Sequence, residues 1–380
     1  MKKSLLALAV LGAFAGAAQA QSSVTLYGII DAGITYTNNQ GGNSAWQAKD
    51  GVMQGSRWGL KGAEDLGGGL KAVFDLENGF SLFSGSQLQG GREFGRQAWV
   101  GLSSATAGTF TLGRQYDSVV DYLGPLASGA QWAGYIGAHP GDNDNLNNFF
   151  RVDNSVKYTS VNYNGFSFDT LYGFSNKAGG FASNRLWSLG AGYANGPLTV
   201  GAAYLYSQNP SFGGTTTLPS IGNTAGADTD GTFGQGATNK QIWGLGGSYA
   251  FGPATVGVVY TNVKLNGTAV PISYAPSGLE GANLRVQNVE VNGKYMLTPA
   301  LQLGAAYTYT WARNDAGAKP KYHQVNLGAD YWLSKRTDVY AIGIYQKAAG
   351  DAQNAEINFV GGQSSSKNQV AMRVGLRHKF

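Results

Sequence analysis

Apolar and polar residues alternate, place by place, through most of this chain. In VAMRVGLRHKF at the C-terminus, Val370, Met372, Val374, Leu376 and Phe380 take every second position, with His378 the departure. Ala371, Arg373, Gly375, Arg377 and Lys379 lie between them. In SVTLYGIIDAGITYT, Val24, Leu26, Ile30, Ala32, Ile34 and Tyr36 share one face, and Thr25, Asp31, Gly33 and Thr35 the other. In LKAVFDLENG, Leu70, Ala72, Phe74 and Leu76 oppose Lys71, Asp75 and Glu77. A period of two belongs to a β-strand with one face in an apolar medium and the other in water. About sixteen such segments follow one another. They begin near Val24, Arg57, Leu70, Phe94, Thr109, Arg151, Phe166, Leu186, Pro197, Gln241, Ala254, Val286, Leu301, Tyr322, Thr337 and Asn368.

The first residues stand apart. Lys2 and Lys3, the apolar run Leu5 to Ala17 and the Ala18-Gln19-Ala20 site read as a secretory signal over residues 1–20. The mature domain is then 21–380, beginning at Gln21. No later segment approaches the roughly 18 apolar residues of a membrane-spanning helix. An exported chain can still cross a bilayer if its strands close into a barrel, which leaves no backbone group unpaired in hydrocarbon. The even strand count and strands of roughly 9–11 residues suit that solution.

The connections alternate in length. Short ones fall at Ser103–Gly108, Val161–Gly165, Asn195-Gly196, Phe251–Pro253, Leu297–Ala300 and Leu333–Arg336. Long polar ones fall at Asn38–Gln54, Gly79–Arg92, Tyr116–Phe150, Ser207–Lys240, Lys264–Arg285 and Lys347–Lys367. Short turns on one rim and long loops on the other mark an outer-membrane barrel. Aromatics such as Trp58, Tyr158, Phe166, Tyr193, Tyr249, Tyr260, Tyr309 and Tyr331 cluster near strand ends, where headgroup girdles require them. The last strand pairs with the first, and Phe380 falls at the short-turn girdle. A soluble β-sandwich would bury the same alternating faces but has no use for the loop asymmetry.

Several function classes fall away. Removing Lys2 and Lys3 from 27 Lys+Arg against 22 Asp+Glu leaves a net charge of +3, too mild to argue for nucleic acid. With no Cys and three His there is neither thiol chemistry nor a Cys/His metal site, and no cofactor is expected. An outer-membrane hydrolase would need a nucleophile, a base and an orienting group together. His139, His323 and His378 are scattered and read as surface or interface residues. Fragments such as GLGGSYAFG lack the βαβ context of a phosphate loop, and 58 Gly supply such matches by chance.

The stretches SSVTLYGIIDAGITYT, SRWGLKGAEDLGGGLKAVFDLENGF, FGRQAWVGL, GTFTLGRQYD, NSVKYTS, YWLSKRTDVY and VGLRHKF together resemble the trimeric general porins of Gram-negative outer membranes, in their betaproteobacterial branch. The matches run from Ser22 to Phe380. The resemblance implies an all-β, sixteen-stranded antiparallel transmembrane barrel in the outer membrane, a homotrimer, and a third loop (117–150) folded into the pore. It implies contacts with outer-membrane lipid and lipopolysaccharide. It also makes Phe380 the signal read by the barrel assembly machinery.

By the same resemblance the third loop narrows the channel at its tip, near Pro125 and Leu126, and arginines stand on the wall opposite. Arg57, Arg96 and Arg151 match those positions. Tyr122–His139 contains no acid; Asp117 and Asp121 precede it, and Asp142 and Asp144 follow. Alternation independently turns Arg57 and Lys61 to the lumen, opposite Trp58, Leu60 and Gly62, and likewise Arg151, opposite Val152 and Val156. Arg96 shares parity with Ala98 and Val100, but a charge facing lipid at mid-depth costs about 2–4 kcal/mol, so the lumen is the better place. Arg114 fits the GRQYD motif while sharing parity with the apolar Phe110 and Leu112. Guanidinium groups facing an acid-poor tip predict a diffusive, water-filled channel that prefers small anions. The alternatives are ion pairs with lumen acids such as Asp75 and Asp153, or a substrate-specific channel for a small anionic solute such as phosphate or a carboxylate.

Overall fold

The computed structural model describes residues 23–176, 178–182, 185–208, 237–267 and 283–380. The export signal expected over 1–20 and most of the Ser207–Lys240 and Lys264–Arg285 connections lie outside the described residues.

One antiparallel sheet accounts for every strand among the described residues. Its first half runs β1 (Ser23–Gln40), β2 (Asn43–Asp50), β3 (Arg57–Gly67), β4 (Leu70–Gly79), β5 (Gln97–Ser104), β6 (Gly108–Gln115), β7 (Val152–Thr159) and β8 (Phe166–Gly173). The second half runs β9 (Leu186–Asn195), β10 (Leu198–Gln208), β11 (Asn239–Phe251), β12 (Ala254–Asn266), β13 (Leu284–Thr298), β14 (Leu301–Asn314), β15 (Pro320–Trp332), β16 (Thr337–Gly350) and β17 (Asn368–Lys379). β2 and β3 both pair with β1, at its two ends, so they are two lengths of a single stave and the closed barrel has 16 staves. Here the structure departs from the sequence reading. The stretch expected as a long loop, Asn38–Gln54, is mostly a β-hairpin turning at Gly41 and Gly42, whose φ values of +60° and +105° suit glycine.

Closure is a run of pairs from Ile29↔Lys379 to Thr37↔Ala371. It is finished by reciprocal backbone bonds in which Gly28 N donates to Phe380 O and Phe380 N to Gly28 O, each 3.1 Å. The ring of Phe380 lies where a side chain on residue 28 would otherwise be. The outer surface is apolar: Leu26, Val100, Leu245, Val258, Val291, Leu327, Met372 and Val374 are all exposed, as lipid contact requires.

The interior is less uniform than simple alternation predicts. Upper inward positions of several staves carry Leu205, Ile242, Val259, Val263, Leu265, Leu284 and Val286. These bury against Val119, Leu123, Leu126, Leu146 and Phe150 of the 117–150 segment. That segment has folded inside the barrel and covers part of its wall with a dry seam.

The Phe380–Gly28 contact yields a test. Phe380→Ala should lower the heat-unfolding midpoint of the barrel, by an amount corresponding to about 1–2 kcal/mol for loss of a partly buried ring. Gly28→Val, which displaces the ring, should do the same, while Lys379→Ala leaves the midpoint unchanged. Gel heat-modifiability reads the order of the three.

Candidate functional site

The 117–150 segment starts with a single helical turn, α1 (Ser118–Tyr122), capped by Asp117. The Asp117 carboxylate accepts from Val119 N at 2.8 Å, Val120 N at 3.3 Å and Asn145 Nδ2 at 2.7 Å. Fully buried, it is pushed up to about 6 by desolvation. Asp117 therefore fixes the loop and does not face the channel.

Beyond α1 the chain circles the inner wall. Tyr122 lies over Gly190 and Gly192, Leu126 reaches Gly246, and Trp132 lies flat on Gly304 and Gly328. A Cβ at Gly304 would come within 2.5 Å of the indole, and one at Gly328 within 2.7 Å. These inward glycines are the trough that lets a loop approach the wall backbone. Of the two expected tip residues, Pro125 is exposed, whereas Leu126 is buried against the wall, its carbonyl accepting from Asn292 Nδ2 at 2.8 Å.

The loop is also held by charge. Glu290 of β13 accepts from Ser128 N at 2.7 Å and Ser128 Oγ at 2.8 Å, and lies 3.4 Å from His139 Nε2. His139 Nδ1 is 2.6 Å from Asp144, which also accepts from Thr261 Oγ1 at 2.6 Å and Asn288 Nδ2 at 3.1 Å. His139 is thus a buried latch, not the surface residue that its isolation in the sequence suggested, while His323 and His378 do lie outside. Burial alone would lower the His139 pKa, but Asp144 and then Glu290 reverse that and hold it up to about 10. Burial and the Asp144 charge push Asp142 up to about 8.

Across the lumen, β3 to β7 carry the arginines. Arg57 opens β3, Arg96 stands one residue before β5, Arg114 lies near the end of β6, and Arg151 immediately precedes β7. Arg57, Arg96 and Arg151 converge around Glu77 and Tyr116, and Arg114 stands beside them on Asp153. Arg96 Nε donates to Glu77 Oε1 at 2.8 Å and Arg96 Nη2 to Tyr116 Oη at 3.0 Å. Tyr116 Oη donates to the same Glu77 oxygen at 3.2 Å, and Arg57 Nη1 lies 3.9 Å from it. The Arg151 guanidinium rests 5.4 Å from the centre of the Tyr116 ring. Arg114 Nε donates to Gly95 O at 2.8 Å, and its Nη1 pairs with Asp153, which Arg92 approaches at 3.8 Å. Among the described residues, five guanidinium groups (Arg57, Arg92, Arg96, Arg114 and Arg151) thus gather around Glu77 and Asp153, and cations outnumber carboxylates in the cluster.

Two parity conflicts resolve in the backbone. Phe110 and Leu112 point outward, 47% and 50% exposed, yet Arg114 is only 7% exposed and inward. The β6–β7 register slips between Gly113 and Gln115, and Gly113 has φ +139°. This bulge reverses parity for the residue after it. Arg96 precedes its strand, so the alternation of Ala98 and Val100 does not govern it.

Lys61 and Asp121 fall outside the cluster. Lys61 sits opposite Asp75 in the β3–β4 ladder, with its Nζ 5.2 Å from the Tyr27 ring centre. Asp121 pairs with Lys157, which is also 3.1 Å from Asp169. Alternation had placed Glu77 only on a polar face. Its role was recoverable by counting back from the Gly67–Gly69 turn, which sets Glu77 opposite Gly59 and near Arg57. Nothing local in the sequence marked Tyr116, or Glu290 as the partner of a loop more than a hundred residues away.

A closed barrel with a greasy exterior, a polar lumen and a loop narrowing that lumen is a membrane channel. The family described as Gram-negative porin matches residues 7–351, and the chain belongs to that family. An outer membrane porin protein of Bordetella pertussis is 35% identical over the full length of both chains. Outer membrane porin protein 32 of Delftia acidovorans is 32% identical, again over the full length of both. Among solved structures, the anion-selective porin from Comamonas acidovorans superposes with a TM-score of 0.73 at 24% identity, covering 95% of this chain and 100% of that one. The trimer form of OmpT from Vibrio cholerae gives 0.66 at 19% identity, covering 94% and 99%. The protein is an outer-membrane porin, and its relatives are channel proteins.

Two tests concern the loop seat. Gly304→Val or Gly328→Val should lift Trp132 off the wall into the lumen and lower single-channel conductance, with the barrel still heat-modifiable. The second test uses pH. His139 has a folded pKa above its free value of about 6.5, so its contribution to the seat is complete below that pH and disappears as pH rises through about 10. Asp142 works in the same sense, its contribution complete below its free value of about 4 and gone once pH has risen through about 8. Open-channel current noise should therefore grow reversibly as pH rises through neutrality and level off above about 10. His139→Gln should remove the upper part of that rise.

Proposed function

We propose that this porin passes small hydrophilic solutes by passive diffusion and prefers anions. The observation that carries the reading is the surplus of guanidinium over carboxylate on the β3–β7 wall, facing a loop whose 122–139 stretch is free of acid. Narrow low-dielectric walls focus such a field and concentrate anions at the waist. Arg57, Arg96, Arg114 and Arg151 carry the charge, and Glu77 and Tyr116 hold them in position. Lys61 adds a cation farther along the same wall, near Asp75. Asp117 and Asp121, tied up as a helix cap and with Lys157, take little from the field. The Comamonas acidovorans barrel of the same fold is described as anion-selective.

The reading extends to assembly. An export signal over 1–20, a homotrimer like that of the Vibrio cholerae barrel, recognition of Phe380 by the barrel assembly machinery, and contact with outer-membrane lipid and lipopolysaccharide complete it.

Reversal potentials across a planar bilayer in a salt gradient test the main claim. The wild type should favour the anion. Arg57→Gln with Arg151→Gln should reduce the permeability ratio about twofold, and Glu77→Gln should raise it, since it removes a counter-charge. A cation preference in the wild type at neutral pH would defeat the reading.

One observation favours a specific anion site within the channel. Arg57 Nε and Arg151 Nε and Nη2 are buried without hydrogen-bond acceptors. Guanidinium edges of that kind suit phosphate or a carboxylate. Saturable block of conductance by inorganic phosphate would establish this second reading, and conductance linear in salt with no block would dismiss it.

A further inference from the structure

Strand register sets like charges side by side on the outside of the barrel. Lys264 of β12 is directly opposite Arg285 of β13, and Arg285 is directly opposite Arg313 of β14. Like charges in facing positions of adjacent strands destabilise a sheet. Among the described residues none of the three makes a salt bridge. Arg285 Nε donates only to Asn262 Oδ1, at 3.2 Å. Among the described residues of the groove the one carboxylate is Asp315, which accepts from Asn283 N at 3.3 Å. A row of cations with no counter-charge among the described residues suits an anionic partner.

The place of the row says what that partner is. These three side chains share the outward parity of Val258, Val291 and Tyr307, all exposed to the hydrocarbon side. They stand at the rim that carries the long loops, the external rim of such barrels. One row nearer the membrane centre, register aligns Trp243, Asn262, Gln287, Trp311 and Lys321. Ring contacts run along this shelf, Trp243–Tyr260 at 5.2 Å, Tyr260–Trp311 at 6.5 Å and Tyr309–Trp311 at 5.2 Å. A groove of about 480 Å³ spans the two rows. Below them the surface is aliphatic, with Leu245, Val258 and Val291 exposed. Cations, amides, aromatic rings and then aliphatic side chains, in that order along the membrane normal, complement an amphiphile with phosphates, a sugar head and acyl chains.

We propose that Lys264, Arg285 and Arg313, above the Trp243–Trp311 shelf, form a binding site for the phosphorylated headgroup of an outer-leaflet glycolipid, the lipid A part of lipopolysaccharide. This rests on the lipid contact included in the function proposed above. It assigns that contact to a place and a chemistry: phosphate on the cation row, glucosamine over the aromatic rings, acyl chains along the aliphatic band. The bound phosphate also offsets the repulsion within the row.

The test uses the assembled protein, delipidated in non-ionic detergent, with native mass spectrometry and heat-dissociation midpoints as readouts. The probes are bisphosphorylated lipid A, the same lipid dephosphorylated, phosphatidylglycerol and inorganic phosphate. Bisphosphorylated lipid A should bind at least tenfold more tightly than either other lipid, and inorganic phosphate at equal concentration should not displace it. The combined variant K264Q/R285Q/R313Q should lose that tenfold. Arg285→Gln alone should raise the midpoint of lipid-free protein, because it relieves repulsion, and should abolish the further rise on adding lipid A. A folded combined variant that binds lipid A as the wild type does would overturn this site and leave lipid contact elsewhere intact. Wild-type protein that binds no lipid A would overturn both. Displacement by inorganic phosphate, or equal binding of phosphatidylglycerol, would overturn the glycolipid assignment.

Discussion

Closure of the first strand on the last is the constraint from which everything else follows. In hydrocarbon an unpaired backbone N–H or C=O costs several kcal/mol, so a sheet there survives only without edges. The β1–β17 ladder removes both edges at once, down to the reciprocal Gly28–Phe380 bonds. Once the ring is shut, its outer residues must match lipid, and its inner residues are free to be polar. A protected, wet interior is the precondition for placing charges in the middle of a membrane.

Within that interior two halves do different work. One side of the wall, β9 to β15, is a seat. Glycines make a trough, aliphatic side chains form a dry seam, and Glu290 with Asp144 and His139 locks the loop down. The other side, β3 to β7, carries the arginines. Acids are divided accordingly. Asp117, Asp142, Asp144 and Glu290 are consumed in fixing the loop: Asp144 and Glu290 face the charged His139, and Asp142 keeps its proton at neutral pH. Glu77 and Asp153 remain among the arginines. They are enough to hold the guanidinium groups at fixed distances and too few to cancel them.

A rigid, preset arrangement matters for conduction. Guanidinium groups on flexible stems would follow a passing anion and trap it. Stacking of Arg151 on Tyr116, and the shared hydrogen bonds of Arg96 and Tyr116 on Glu77, spread positive charge over a fixed surface. On the proposed reading, attraction is then strong enough to favour anion entry and distributed enough to permit exit.

The barrel was already legible in the order of residues. Alternation is a local property, each strand obeying it independently, so starts at Leu70, Phe166, Leu186, Ala254, Leu301, Thr337 and Asn368 could be read directly and coincide with the structure. The short turns were legible for the same reason. Wall arginines were legible too, by resemblance and by parity, although Arg114 needed the bulge at Gly113 to bring it inward. Tertiary structure alone decided which residues meet. The hairpin at Gly41–Gly42 replaced an expected loop, His139 became a buried latch, and Glu290 found a loop 162 residues away in sequence. Pairing of that kind depends on where a closed ring brings distant segments, and a periodicity read along one strand carries no information about what stands across the lumen.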